Sequence, residues 1–189
     1  MKKDIIICGV GGQGTLLTSR ILGHVAMSAG LDVKLSEVHG MSQRGGSVVT
    51  YVRMGDGIAS PLIEKGGADM IIAFEELEAV RYLPYLKKNG HVVVNTNRIL
   101  PMPVITGAAA YPENLMEILT AAAEVTAVDA QALAEKAGSV RSVNVALLGA
   151  AARQFSFTPQ QWQEAIRSCV PAKTVEKNLL AFAYGNGEK

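Results

Sequence analysis

Apolar runs and amphipathic stretches alternate along the first part of the chain. The segment DIIICG at residues 4–9 is continuously apolar, β-branched and ended by glycine, which is typical of a buried strand. Residues 14–30 place apolar side chains at helical intervals and stop at Gly30, and residues 32–38 alternate as a strand does. Strand, helix and strand in this order predict a Rossmann-like βαβ unit with parallel strands.

The pattern beyond this unit predicts a larger sheet. Residues 47–54 are β-rich and follow the polar loop 39–46 with no room for a helix, so we interpret them as a strand and leave open a mixed sheet at this point. Further strands are predicted at three apolar segments, 68–74, 91–96 and 124–130. The sheet is therefore expected to be mostly parallel.

The remaining segments predict helices that cover the sheet. Residues 75–90 are acidic at the start and basic at the end, as the helix dipole favours, although Pro84 should kink or end this helix early. Residues 97–112 are expected to be extended, and 113–123 helical. The C-terminal segment, about 139–185, is mostly helical in pattern. We predict a single three-layer α/β/α domain over residues 1–189.

Composition restricts the partners and the compartment. Lys plus Arg number 18 and Asp plus Glu 17, a formal charge of +1 that gives no general attraction to nucleic acid or to an acidic membrane. No apolar run approaches the ~18 residues of a membrane span, and the N-terminus reads as a strand, not a signal peptide. We therefore expect a cytoplasmic protein.

Cysteines and histidines give no metal pattern. Cys8 and Cys169 are far apart, so neither a disulfide framework nor an iron–sulfur cluster of the chain's own is expected. The three histidines, His24, His39 and His91, are scattered without ligand spacing. Cys8 is interpreted as a core residue, because it lies in a predicted buried strand. We expect no metal site and no catalytic residue in this chain.

A glycine turn follows the first strand. Residues 9–14, GVGGQG, fit the pattern G-x-G-x-x-G between a strand and a helix, where bare backbone N–H groups and the helix dipole favour an anion. A P-loop is excluded because Thr15 and Leu16 stand where Lys and Ser or Thr belong. Glu37 lies near the position where a dinucleotide-binding protein has the acidic residue that binds the ribose. The alternative is that the glycines only form a tight turn and allow the helix to pack closely on the sheet.

A second loop enters the strand at residues 47–54. The stretch 36–49, SEVHGMSQRGGSVV, places Arg44 beside two glycines just beyond a strand end, where ligands bind in α/β sheets. Arg44 could fork onto a phosphate or a carboxylate, with the amides of Gly45 and Gly46 as further donors. The alternative is a solvated loop. We expect both loops to meet at one edge of the sheet, with their amides available to a ligand.

Four segments together carry a family resemblance; they are GVGGQGTLLTSRIL, SEVHGMSQRGGSVVTYVRMG, EELEAVRYLPYLKKNGHVVVNT and VEKNLLAFAYG. In this order they resemble the small, gamma-type subunits of 2-oxoacid:ferredoxin oxidoreductases. The resemblance is closest to the beta subunits of the indolepyruvate branch. It covers nearly the whole chain.

The resemblance implies a function in a complex. The family oxidatively decarboxylates a 2-oxoacid, joins the acyl group to coenzyme A and passes electrons to ferredoxin. Thiamine diphosphate and iron–sulfur clusters are implied on a large alpha subunit, and the small subunit is associated with coenzyme A and with closing the active site. Indolepyruvate or another arylpyruvate is the implied substrate. The chain alone is expected to be inactive.

The resemblance also assigns cofactor-binding residues. They are Gly9, Gly11, Gly12, Gln13 and Gly14 in the first loop and His39, Gly40, Gln43, Arg44, Gly45, Gly46 and Ser47 in the second. Asn144 and Asn178 also match family positions, and a structural role is favoured for both. Two alternatives stay open: a free-standing NAD- or FAD-dependent oxidoreductase, and a purely structural subunit.

Overall fold

A central sheet is the frame of the molecule. The computed structural model describes residues 2–37 and 40–188. Within this part of the chain the sheet has six strands, β1 (Lys3–Val10), β2 (Asp32–Glu37), β3 (Ser47–Gly55), β4 (Ala68–Ala73), β5 (Leu86–Asn95) and β6 (Glu124–Val128). Their spatial order is β2-β3-β1-β4-β5-β6.

One strand runs against all the others. β3 is antiparallel to both of its neighbours, β1 and β2, whereas β1, β4, β5 and β6 pair in parallel. Val10, the last residue of β1, pairs with Ser47, the first residue of β3. The reversed strand therefore brings the loop before it to the carboxyl ends of the parallel strands. The predicted α/β class with a mostly parallel, mixed sheet is confirmed.

Helices cover both faces of the sheet; they are α1 (Thr15–Ser28), α2 (Glu76–Tyr82), α3 (Met102–Ile105), α4 (Leu115–Ala122), α5 (Ala130–Lys136), α6 (Val143–Ala152), α7 (Pro159–Cys169) and α8 (Val175–Gly185). Because side chains alternate along β1, Ile5 and Ile7 join the core beneath α1 and α5 to α8. Ile6 and Cys8 join a smaller core beneath α2 and α4.

The helix predicted over residues 75–90 is much shorter in the structure. α2 ends at Tyr82, Leu83–Tyr85 form one 3-10 turn around Pro84, and β5 begins at Leu86. Pro84 supplies no N–H and cannot continue an α-helix. Leu86 instead pairs with Ala68 on β4 and packs in the smaller core. The prediction of a helix to residue 90 is therefore wrong.

The segment predicted as extended also contains a helix, since Met102–Ile105 form the single turn α3 within residues 97–112. The C-terminal helices agree with prediction. Thr158 accepts a hydrogen bond from the backbone of Gln161, and the Gln161 side chain accepts one from the backbone of Thr158, which is a capping box with Pro159 in the first turn.

Helices α6 and α8 pack backbone to backbone. A Cβ added to Gly149 would lie 2.2 Å from the carbonyl oxygen of Phe182, and one added to Gly185 would lie 1.9 Å from that of Ala146. These distances leave no space for a methyl group. Two glycines therefore set the spacing of this helix pair.

We expect Gly149→Ala to lower the free energy of unfolding by about 2–3 kcal/mol, because the methyl group forces the two backbones apart. Gly23→Ala is the matched control, since it is also a Gly-to-Ala change within a helix. Its added Cβ meets Leu35 at an ordinary 3.6 Å. The control should raise stability by about 0.5–1 kcal/mol. Urea unfolding measures both, and equal effects of the two changes would contradict the packing.

Candidate functional site

The two predicted loops meet at one edge of the sheet. The first, residues 11–14, leads from β1 into α1, and the second, residues 40–46, leads into β3. The amide of Gly11 donates a hydrogen bond of 2.8 Å to the carbonyl oxygen of Gly46. The predicted meeting of the loops is therefore observed. His39, a predicted site residue, lies outside the described residues.

The loops contact each other through bare backbone. A Cβ on Gly11 would lie 2.4 Å from the carbonyl oxygen of Ser42, and one on Gly46 would lie 2.9 Å from the Cα of the same residue. The amide of Gly46 donates to Ser42, at 2.9 Å. The expectation that all of the glycine amides are available to a ligand is thus wrong for Gly11 and Gly46. The Gly11 amide joins the two loops instead, and the Gly46 amide closes a turn within the second loop.

Gln13 fastens the first loop to the sheet. Its Oε1 accepts a hydrogen bond from the amide of Val10 at 2.7 Å, and its Nε2 donates to the carbonyl oxygen of Phe74 at 3.1 Å. A Cβ on Gly9 would lie 2.7 Å from the same Oε1. Gly9 therefore leaves room for the Gln13 side chain, and the end of β1 is joined to the end of β4.

The N-terminus of α1 is the open part of this edge. Gly12 and Gly14 have φ angles of 99° and 90°, the left-handed region that favours glycine. Gly14 is the N-cap of α1; no side chain caps the helix, and its first turn holds no acidic residue. The first N–H groups of a helix have no partner within it. Thr15 and Leu16, which carry the first of these N–H groups, line a cavity of about 300 Å³ together with Gly12 and Gln43.

A second cavity adjoins the glycine loop on the side of α6. It has a volume of about 510 Å³ and is lined in part by Gln13, Asn97, Gln131, Arg141 and Asn144. Asn144 donates a hydrogen bond of 3.4 Å to the carbonyl oxygen of Gly14, and among the described residues its Oδ1 has no partner. The helical layer is thereby tied to the glycine loop.

Asn178 lies apart from this edge. It donates to the carbonyl oxygen of Thr174 at 2.8 Å, one turn earlier in the chain. Both asparagines therefore bond to backbone, as the structural interpretation requires.

A third cavity, which we call the Arg44 cavity, lies beside the second loop. It has a volume of about 420 Å³ and is lined by Val10, Arg44, Gly45, Gly46, Ser47, Glu75, Leu77, Glu78, Arg81, Ile99, Leu100, Pro101, Met102 and Ile105. It shares no lining residue with the cavity at the N-terminus of α1. Arg44 thus lines a different cavity from the open amides, although Gln43, the residue before it, lines theirs.

Three buried glutamates at this edge were missed by sequence reasoning. Glu75 caps α2 by accepting from the amide of Glu78, and it also accepts from the hydroxyl of Tyr111. Glu76 pairs with Arg98 at 2.9 Å. A signal was available, because Glu75, Glu76 and Glu78 follow a buried strand, at the edge where α/β proteins place their sites.

The buried carboxylates of Glu75 and Glu78 contribute to raised pKa values in neighbouring groups. Burial, together with the charges of Glu78 and Glu75, raises the pKa of the Cys8 thiol well above its ordinary value. Burial and the hydrogen bond to Glu75 raise the pKa of Tyr111. Cys8 is fully buried, so the prediction of a core residue is confirmed.

Two further side chains, Glu37 and Trp162, have partners within the fold. Glu37, the candidate ribose ligand, accepts a hydrogen bond of 3.1 Å from the hydroxyl of Ser19 on α1. Trp162 is 3% exposed and packs against Phe155, Phe157 and Phe182, so it is a core residue. Within residues 2–37 and 40–188, no three His, Cys, Asp or Glu residues are grouped so that they could hold a metal ion.

Among residues 2–37 and 40–188, none of the helices has the length and the apolar composition that a membrane span requires.

Comparisons with known proteins find relatives along nearly the whole chain. Residues 4–187 match the family described as pyruvate ferredoxin/flavodoxin oxidoreductase. The chain is 47% identical to indolepyruvate oxidoreductase subunit IorB of Archaeoglobus fulgidus, over 98% of this chain and 94% of the relative. It is 43% identical to the subunit of the same name from Thermococcus kodakarensis, over 96% and 93%.

A solved structure shares the fold. It is 2-oxoglutarate:ferredoxin oxidoreductase from Magnetococcus marinus with 2-oxoglutarate, coenzyme A and succinyl-CoA bound, with a TM-score of 0.75 at 19% identity, over 98% of this chain and 30% of that chain. The chain belongs to the pyruvate ferredoxin/flavodoxin oxidoreductase family, as a subunit of a 2-oxoacid:ferredoxin oxidoreductase. The predicted family is confirmed.

We expect the buried Cys8 to make stability depend on alkaline pH. The unfolded chain ionises this thiol above about pH 8.5, whereas the folded chain holds it protonated, so the free energy of unfolding should fall by up to about 1.4 kcal/mol per pH unit. Cys8→Ala should remove this slope, and Cys169→Ala, which removes a half-buried thiol, should change it less. Urea unfolding between pH 8 and 10 tests this; parallel curves for wild type and Cys8→Ala would contradict it.

Proposed function

We propose that this chain serves in the coenzyme A-dependent oxidative decarboxylation of indolepyruvate and related arylpyruvates. In this proposal a larger alpha subunit holds thiamine diphosphate and the iron–sulfur clusters and passes electrons to ferredoxin. The identity of 47% to an indolepyruvate oxidoreductase subunit, over nearly the full length, supports the choice of substrate.

Coenzyme A is the group we assign to this chain, with its phosphates at the N-terminus of α1. The observation that carries the assignment is that this helix has neither a capping side chain nor an acidic residue in its first turn, beside two left-handed glycines. N–H groups at such a terminus suit a diphosphate. Bound there, coenzyme A would supply the thiol that accepts the acyl group.

The protein residues would hold and orient this ligand. Gly12 leaves the approach open, since nothing lies within 4 Å of a Cβ added there. Gly14 starts the helix, and Gln43 lines the cavity. In this proposal Gly9, Gly11, Gln13 and Gly46 act indirectly, because they give the loops their shape.

The remainder of the second loop has a different role in the proposal. Arg44, Gly45 and Ser47, which line the Arg44 cavity, would contact the larger subunit and help to close its active site. This division follows from the separation between the Arg44 cavity and the N-terminus of α1.

Leu16→Glu tests the coenzyme A assignment in the complex with the larger subunit. Leu16 lies in the first turn of α1 and lines the cavity there. A carboxylate at this position stabilises the helix and repels phosphate, so the fold should be kept while the KM for coenzyme A rises about tenfold. The KM for indolepyruvate should stay within about twofold of wild type.

Leu16→Gln is the matched control, since it makes the same change in size and burial without the charge. It should leave the KM for coenzyme A near that of wild type. If Leu16→Glu and Leu16→Gln give the same KM for coenzyme A, the phosphates do not bind at this helix terminus.

A further inference from the structure

The chain between β5 and α4, which we call the β5–α4 segment (residues 96–114), is anchored near both of its ends. Near its start, Arg98 pairs with Glu76 at 2.9 Å. Near its end, the hydroxyl of Tyr111 donates a hydrogen bond to Glu75, and the Arg98 guanidinium lies 5.7 Å from the centre of the Tyr111 ring. Both glutamates are buried, so the two ends of the segment are held together at the start of α2.

The middle of the segment has a defined backbone, although it lies on the surface. The amide of Ile105 donates a hydrogen bond of 3.1 Å to the carbonyl oxygen of Pro101, which closes the single turn α3. The amides of Ala108 and Ala109 both donate to the carbonyl oxygen of Pro103. The two proline rings restrict the backbone further. The segment therefore presents its side chains in fixed positions before a partner binds.

Apolar side chains are exposed on this segment. Leu100, Met102 and Ile105 are 49%, 66% and 62% exposed, and all three line the Arg44 cavity. Ten large apolar side chains are exposed in the described part of the chain, and these three are the only group of them that falls within six consecutive residues. Clustered exposed apolar groups mark an interaction site.

A surface this open suits a protein partner better than a small molecule. Pockets for small molecules bury most of the ligand's surface, whereas these three apolar side chains are about half or more exposed. The chain is a subunit of an oxidoreductase complex, so another chain covers part of its surface.

The exposed charges that line the Arg44 cavity are both positive. Arg44 is exposed, and 52% of the Arg81 side chain is exposed. The carboxylates in the lining, Glu75 and Glu78, are only 1% and 4% exposed. A protein that covers this cavity therefore needs carboxylates opposite the two arginines. A second copy of this chain is less suitable, because a symmetric contact places the same patch on both sides and sets arginine against arginine.

We propose that the β5–α4 segment docks on the larger subunit, with Leu100, Met102 and Ile105 against an apolar surface that is bordered by carboxylates. The inference rests on the proposed function, which supplies the larger subunit and gives it contacts with the second loop at the Arg44 cavity. The three apolar side chains line that same cavity, so one docking surface continues from the second loop to the β5–α4 segment. Because the segment is ordered in advance, docking costs it little conformational freedom.

The double variant Met102→Ser, Ile105→Ser tests the docking surface in the complex with the larger subunit. Its dissociation constant, measured by sedimentation velocity over a dilution series, should be about tenfold above that of wild type, because two apolar side chains no longer become buried. The matched control is Met27→Ser, Leu62→Ser, since these side chains are 60% and 61% exposed and lie outside the segment. The control should stay within about twofold of wild type.

Three results would overturn the inference. The first is a dissociation constant equal to that of wild type for Met102→Ser, Ile105→Ser, and the second is equal weakening by both double variants. The third is self-association of the wild-type chain that Met102→Ser, Ile105→Ser abolishes, since the occupant would then be a second copy. Urea unfolding of the variant chain should have the wild-type midpoint, because both side chains are exposed.

Arg44→Gln tests the charges at the same surface. The variant keeps a polar side chain but removes the cation opposite the partner's carboxylates. The dissociation constant of the complex should rise about threefold at low ionic strength, and its further rise with added salt should be shallower than in wild type. A salt dependence equal to that of wild type would overturn the carboxylate border.

These measurements are independent of the coenzyme A assignment. An unchanged dissociation constant in the docking variants leaves the site at the N-terminus of α1 standing. Failure of the Leu16→Glu test removes coenzyme A from α1 and leaves the dissociation constants as they are.

Discussion

The close approach of two backbones at Gly11 and Gly46 is the constraint on which the functional edge depends. One hydrogen bond of 2.8 Å joins the loops, and the absence of side chains lets Gly11 lie against Ser42. Any other residue at position 11 would place a Cβ 2.4 Å from a carbonyl oxygen. The loop after β1 and the loop before β3 therefore act as one unit, although they are separated along the chain.

The reversed strand makes this contact possible. In an all-parallel sheet, the segment entering a strand lies at the opposite edge from the segment leaving its neighbour. Because β3 is antiparallel to β1, its first residue, Ser47, pairs with the last residue of β1, Val10. The second loop therefore reaches the carboxyl edge, where the glycine turn and the acidic start of α2 also lie. The reversed direction of β3 therefore places three chain segments at the same edge of the sheet.

The sequence predicts the strands well because buried parallel strands are continuous apolar runs, as in β1 and β4. It predicts the extent of α2 poorly: Lys87 and Lys88 suit a helix end, but pairing of Leu86 with Ala68 extends β5 backward. The meeting of the loops was predictable from strand direction. The hydrogen bond of the Gly11 amide to the second loop was not predictable, because hydrogen bonding between distant segments leaves no local pattern. The adjacent residues Gln43 and Arg44 line different cavities, which spacing does not encode.

Gln13 and Asn144 restrict the motion of the glycine loop. Gln13 anchors the loop to the ends of β1 and β4, and Asn144 connects it to α6. The conformational freedom of the loop is therefore lost when the chain folds, not when a ligand arrives. An anion that binds to a prearranged backbone loses mainly its own freedom of motion. Such a site can hold a flexible molecule by one rigid end while its other end remains free to move.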